Sequence, residues 1–260
     1  MYYTLRSFEK GSGFPVVLLH GLISSHHYWD RTFEMLADTH RVIALDLLGF
    51  GRSPKPRSCS YSLDDHIDSI YATLKQLRVK DPVILVGYSM GANIATAFAV
   101  KYPDFVCKLV LITPPIFKND EEALIGLSNY SSYFRMMKRM PWLGVSVSNL
   151  NYYLRPFSRR IAPSFIKHLP RNIAAETVMH TGRSFQKTTD NVLIKQRTFA
   201  ELKNLKIPVS VLYGVNDPLV EVPTLHELAT VNRNITCTEI SAGHQIPLDT
   251  PQSVIDAIQG

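Results

Sequence analysis

The chain is short of the residues that staple or metallate a fold. Its 260 residues include three cysteines, Cys59, Cys107 and Cys237, which stand far apart without paired spacing; that argues against a disulfide framework and a zinc site. They are expected to be reduced and mostly packed, and neither a metal nor a cofactor is expected. Long apolar runs are missing as well. No stretch approaches the roughly 20 residues of a membrane span, and no apolar run follows Met1–Ser7 in the manner of a signal peptide. A cytoplasmic location is the expectation. Dense Lys/Arg blocks, internal repeats and low-complexity tracts are also lacking, so the net charge of +6 reads as solubility and not as a nucleic-acid interface.

What is present is apolar and patterned. Hydrophobic residues make up 45% and charged residues 19%, which suits one large domain, with room for an insertion, around a sizeable core. Val16–His20, Val42–Asp46, Val83–Val86 and Leu109–Thr113 are short, mostly apolar runs of the kind that form central strands. Tyr2–Glu9 alternates loosely and suits an edge strand or hairpin. Between these runs lie helical patterns. Trp29, Phe33, Met35 and Leu36 suit a half-buried helix; Ser62 is a cap, followed by Asp64 and Asp65, for a helix whose apolar face is Leu63, Ile67, Ile70, Tyr71, Leu74 and Leu77. Strand and helix in alternation predict a mostly parallel central sheet flanked by helices on both faces.

From Pro114 to about Thr198 the alternation stops. This stretch is aromatic-rich, broken by Pro141, Pro156, Pro163 and Pro170, and predicts a helical insertion over residues 115–198, with the core formed by 1–114 and 199–260. It carries 13 Lys and Arg against 5 Asp and Glu, which leaves the core slightly acidic. Strands then resume at Val209–Tyr213 and Thr236–Ile240, with helices around Val222–Val231 and Thr250–Ile258; Pro251 stands at a favoured first helical position.

Gly87-Tyr88-Ser89-Met90-Gly91 joins the apolar run Val83–Val86 to the alanine-rich run Ala92–Phe98. A strand, a sharp turn and a buried helix would lift the Ser89 hydroxyl out of the sheet, a geometry tolerable only between small neighbours. A serine hydroxyl needs a base, and the base a carboxylate to hold its tautomer. Asp217, in Tyr213-Gly214-Val215-Asn216-Asp217-Pro218, and His244, in Ser241-Ala242-Gly243-His244, follow the last two strands. The ends of parallel strands converge on one edge of a sheet, where ligands bind. Asp190 and Asp249 are alternative acids, but neither follows a sheet strand. His20 reads as a loop packing residue, and His26 and His27 as candidates for the cleft margin. Gly49 and Gly51 are half of a dinucleotide fingerprint, with no third glycine at the required spacing.

His20-Gly21-Leu22, Asp46-Leu47-Leu48-Gly49-Phe50-Gly51-Arg52-Ser53, the serine pentapeptide, Gly214-Val215-Asn216-Asp217 and Gly243-His244 together resemble a cap-bearing member of the α/β-hydrolase superfamily, over nearly the whole chain. The resemblance implies an α/β-hydrolase fold, with Ser89 as nucleophile, His244 as general base and Asp217 as its orienting acid. It also implies an oxyanion hole from the backbone N–H groups of Leu22 and Met90. Relatives that open epoxides or displace halide carry aspartate at the elbow, where this chain has Ser89; those that cleave C–C bonds often carry tryptophan after the histidine, where it has Gln245.

The expected activity is hydrolysis of small or medium carboxylic esters through an acyl-enzyme on Ser89, the partner being an apolar small molecule. Two alternatives use the same residues: a C–C bond hydrolase or lyase, and a small-molecule receptor on the hydrolase scaffold. Tyr130, Tyr133, Phe134, Trp142, Tyr152, Tyr153 and Phe157 are candidates to wall an apolar pocket. The cations Arg135, Lys138, Arg139, Arg159 and Arg160, scattered among prolines, read as a solvated face without membrane contact. The sequence carries no statement of oligomeric state.

Overall fold

The computed structural model describes residues 3–130, 134–135 and 139–260; Tyr133 and Lys138 lie outside them. Seven strands form one sheet in the order β1-β3-β2-β4-β5-β6-β7: β1 (Ser7–Lys10), β2 (Phe14–Leu19), β3 (His40–Leu45), β4 (Val83–Tyr88), β5 (Val106–Ile112), β6 (Val209–Gly214) and β7 (Ile235–Ile240). Only the edge strand β1 is antiparallel, with Ser7 opposite Leu45. The other pairings are parallel.

Strand geometry alone splits each apolar run between two cores, because successive side chains point to opposite faces. Val17, Leu19, Ile43, Leu45 and Leu85 pack on one side. Val16, Leu18, Val42, Ala44, Ile84 and Val86 pack on the other. That double burial is why the central strands read as unbroken apolar runs. Helices α1 (Asp30–Leu36) and α12 (Pro251–Gln259) cover the second face through Leu36, Val254 and Ile255. Helices α2 (Leu63–Gln76) and α3 (Met90–Lys101) cover the first through Ile67, Ile70, Ile94 and Phe98.

The start of α2 is a reciprocal cap. Ser62 Oγ accepts from the Asp65 N–H at 3.1 Å, and the Asp65 carboxylate accepts from the Ser62 N–H at 3.0 Å, an arrangement that satisfies two helix-end donors. In α1 the predicted face is only partly buried, since Met35 turns to solvent. A 3₁₀ turn over His26–Trp29 precedes α1 and buries Trp29.

Between β5 and β6 the described elements are helices joined by loops: α4 (Asp120–Tyr130), α5 (Pro141–Tyr153), α6 (Arg155–Phe165), α7 (Arg171–Glu176), α8 (Gly182–Thr188), a π-helical turn at Thr189–Ile194, and α9 (Thr198–Asn204). Polar clasps tie this insert to the core. Ser184 Oγ donates to the Gly49 carbonyl at 2.9 Å, and Asn93 donates to Thr198 Oγ1 at 2.7 Å. Helix α10 (Val222–Val231), the short α11 (Ile246–Asp249) and α12 complete the chain.

Candidate active site

The link from β4 to α3 is a strained elbow. Ser89 has φ +51° and ψ −121°, a region costly for a side-chain-bearing residue and found where surrounding structure enforces it. The enforcement is visible. The Ser89 N–H donates to the Ile112 carbonyl at 2.9 Å, and the flanking glycines leave no space for a methyl group. A Cβ on Gly87 would stand 2.5 Å from the Gly91 carbonyl oxygen, and one on Gly91 would stand 2.5 Å from that of Leu19.

Two loops at the same sheet edge bring the other groups in. Past β6, a turn in which the Asp217 N–H donates to the Gly214 carbonyl buries the Asp217 carboxylate; one of its oxygens accepts from the Leu219 N–H at 3.0 Å. Its other oxygen lies 2.7 Å from His244 Nδ1. The opposite ring nitrogen, Nε2, stands 3.0 Å from Ser89 Oγ. With Nδ1–H held on the carboxylate, Nε2 is left to accept the serine proton, which is the relay that activates a hydroxyl. Asp190 and Asp249 are not among the partners of His244.

The loop that follows β2 is set by His20. The Leu47 N–H donates to His20 Nε2 at 2.9 Å, which places the ring proton on Nδ1, and Nδ1–H donates to the Gly21 carbonyl at 2.7 Å. Burial lowers the His20 pKa to about 4, so the ring stays neutral with that tautomer. Because a trans peptide points its N–H opposite to its C=O, anchoring the Gly21 carbonyl fixes the direction of the Leu22 N–H. Met90 begins α3, and a helix offers its first N–H groups no internal partner. Behind this loop, Asp46 accepts from the His26 N–H and ring and from the Arg52 N–H at 2.7 to 2.9 Å. Burial alone would raise its pKa, but those hydrogen bonds, led by that of the His26 ring, hold the carboxyl below its ordinary range.

Residues 15–251 match the family model of the α/β-hydrolase fold. The chain belongs to the α/β-hydrolase family. This hydrolase is 40% identical to the probable lysophospholipase BODYGUARD 4 of Arabidopsis thaliana over 112 residues, which are 42% of this chain and 27% of that protein. It is 34% identical to the 2-hydroxymuconate semialdehyde hydrolase of Pseudomonas sp. strain CF600 over 140 residues, 51% of this chain and 48% of that one. The chain thus spans less than half the length of these curated relatives. Among solved structures, a thermophilic esterase from Thermogutta terrifontis superposes with TM-score 0.76 at 25% identity, covering 98% of this chain and 91% of the esterase.

In this α/β hydrolase a cavity of about 450 Å³ opens over Ser89 and His244, with Leu127, Tyr130, Phe134 and Ile166 of the insert facing Leu22 and Tyr88 of the core. Of the aromatic residues anticipated as pocket walls, Tyr130 and Phe134 line it; Trp142, Tyr153 and Phe157 instead face outward, and Tyr152 packs near Lys55. Tyr88 and Tyr28, which sequence reasoning passed over, also line the cavity, their hydroxyls 2.8 Å apart. Burial pushes the Tyr88 pKa well above its usual value, so it remains a neutral phenol. His26 and His27 pair with Asp46 and Asp30 at 2.9 and 3.1 Å, away from the lining. His20, expected from the sequence to be a loop packing residue, is a buried loop residue whose ring also anchors the Gly21 carbonyl.

Proposed function

We propose that this α/β hydrolase is a serine esterase that cleaves uncharged carboxylic esters with an apolar acyl or alcohol part. The observation that carries the reading is the line from Asp217 through His244 to Ser89, with 2.7 and 3.0 Å links at the floor of a mostly apolar cavity. Ser89 Oγ attacks the ester carbonyl as its proton passes to His244 Nε2. The tetrahedral oxyanion is received by the N–H groups of Leu22 and Met90, and His244 returns the proton to the departing alcohol. Water then repeats the sequence on the acyl-enzyme, releases the acid and restores Ser89. Helices α4–α8 serve as the cap, with Tyr130 and Phe134 shaping the substrate side.

An ester is favoured over an anionic keto acid by the lining itself. Among the described residues that line the cavity there is no Lys or Arg, so a substrate carboxylate would be desolvated without a paired cation, a costly arrangement. A probable lysophospholipase, a 2-hydroxymuconate semialdehyde hydrolase and a thermophilic esterase are among the similar proteins, so more than one substrate class is reachable on this fold. Incubation with a fluorophosphonate probe and a panel of p-nitrophenyl esters of increasing chain length, run beside a vinylogous 1,5-diketo acid, tests the assignment. Labelling at Ser89 and turnover of the esters alone are expected. An unlabelled folded protein, or preferential cleavage of the diketo acid, would overturn it.

A further inference from the structure

Helices α5 and α6 are built inside out. In α5 the buried positions are Gly144 and Ser148, whereas Trp142, Val147, Leu150 and Tyr153 are exposed. In α6 the buried positions are Ser158 and Ala162, and Phe157, Ile161 and Phe165 stand on one exposed line at four-residue spacing. The exposures are large: 68% for Trp142, 64% for Phe157 and 81% for Phe165. Only Leu154, itself exposed, separates the two helices. A surface helix ordinarily turns its large apolar residues to the core and its small polar ones to water. Here both helices reverse that pattern, and large exposed apolar patches mark contact surfaces.

The charges around the patch choose the occupant. From residue 123 to residue 175 the sequence has no Asp or Glu and eight Lys or Arg. Arg139, Arg155, Arg160 and Lys167 of this stretch are exposed. A second copy docked on this face by a two-fold axis would set one basic border against another, which is repulsive. An anionic lipid surface meets both features, since cations beside buried Trp, Phe and Leu side chains are the composition of interfacial helices. Among the described residues no helix is long and apolar enough to cross a membrane, so the contact lies in the interface. The solvated face expected from scattered cations lacked an amphipathic register; the register appears once α6 is seen to run through Pro156 and Pro163.

We propose that the outer face of α5 and α6 docks on anionic lipid surfaces, with Trp142, Phe157 and Phe165 inserted and Arg155, Arg160 and Lys167 at the headgroups. The geometry adds a purpose. Ile166 and His168, immediately after Phe165, line the cavity over Ser89, so docking brings the lipid surface beside its entrance.

The chain has two tryptophans, and Trp29 is already fully buried, so a change in emission reports Trp142. The full chain is mixed with vesicles of phosphatidylcholine alone, or of equal phosphatidylcholine and phosphatidylglycerol, and followed by fluorescence and co-sedimentation. A blue shift and pelleting with the anionic vesicles, both reversed by added salt, are expected. Binding should fall about tenfold or more in Phe157→Ser/Phe165→Ser and in Arg155→Gln/Arg160→Gln/Lys167→Gln, with both variants melting at the wild-type temperature. The proposal is overturned if wild type stays in the supernatant with an unshifted spectrum, or if both variants bind as wild type does. It is equally overturned if sedimentation without vesicles shows a dimer that Phe157→Ser/Phe165→Ser dissociates, since the occupant is then a second copy. None of these readouts depends on turnover, so they stand apart from the fate of the esterase assignment.

Discussion

The core and the insert obey different packing logics. In the core, most large side chains are hidden, with exceptions such as Met35, and glycines occur where backbone meets backbone: Phe98 and Leu19 are fully buried, and Gly91 sits against the Leu19 carbonyl. In α5 and α6 the small residues are hidden and the large ones face outward. The core's pattern is explained by the chain's own packing and is sufficient to hold Ser89, Asp217 and His244 in register. Among the described residues, none covers the large side chains on the insert's outer face. The difference separates what the molecule needs in order to fold from what it presents to others.

The sharpest break of this comparison is chemical. If the core edge is the reactive centre, Ser89→Ala should lower ester turnover by about 10⁴-fold or more and abolish fluorophosphonate labelling. Retained turnover would move the chemistry elsewhere. Next in size is acid sensitivity. Burial lowers the pKa values of His20, His66 and His180 to about 4, from 6.5. Between those values the unfolded chain binds protons that the folded chain refuses, so stability falls as pH falls. From pH 7 to pH 5 the combined loss is on the order of 5 kcal/mol, read from urea midpoints. Two of the three rings belong to the core and His180 to the insert. Unchanged midpoints would show that the folded chain accommodates imidazolium at these sites.

Phe98→Ala should cost about 3–5 kcal/mol in the same denaturation experiment, because α3 is packed from both sides. A smaller kinetic effect is expected at His20. His20→Ala frees the Gly21 peptide to rotate, and kcat should drop about 10²-fold with KM little changed. A rise in KM alone would assign the ring to substrate binding and not to positioning the Leu22 N–H.

Much of the core arrangement was legible in the sequence because its signals are local. A β-branched run ending in Gly-x-Ser-x-Gly encodes strand, turn and helix within sixteen residues, and Asp217 and His244 each follow a strand directly, so the meeting of all three follows from parallel topology. His20 was not legible as a positioning residue, since its partner Leu47 comes from a neighbouring strand end and nothing local announces that N–H. The outward turn of Trp142, Tyr153 and Phe157 was hidden for another reason. Helical spacing shows that residues share a face, but not which face is covered, and the usual assumption that large means buried fails in α5 and α6.

The smallest expected effect is therefore the most informative about the insert. Truncating a phenyl group in a core removes several kcal/mol because it forfeits burial and leaves a cavity. Phe165→Ser removes a side chain that is already 81% exposed, so folding does little to shield it and little stability is at stake. Its urea midpoint should match wild type to within about 0.5 kcal/mol, in contrast to Phe98→Ala. A loss comparable to that of Phe98 would mean that Phe165 packs against the chain in solution and that the two regions follow one logic after all. A neutral result leaves the side chain without a folding role, and its retention on the outside of α6 is then a matter of what that face touches.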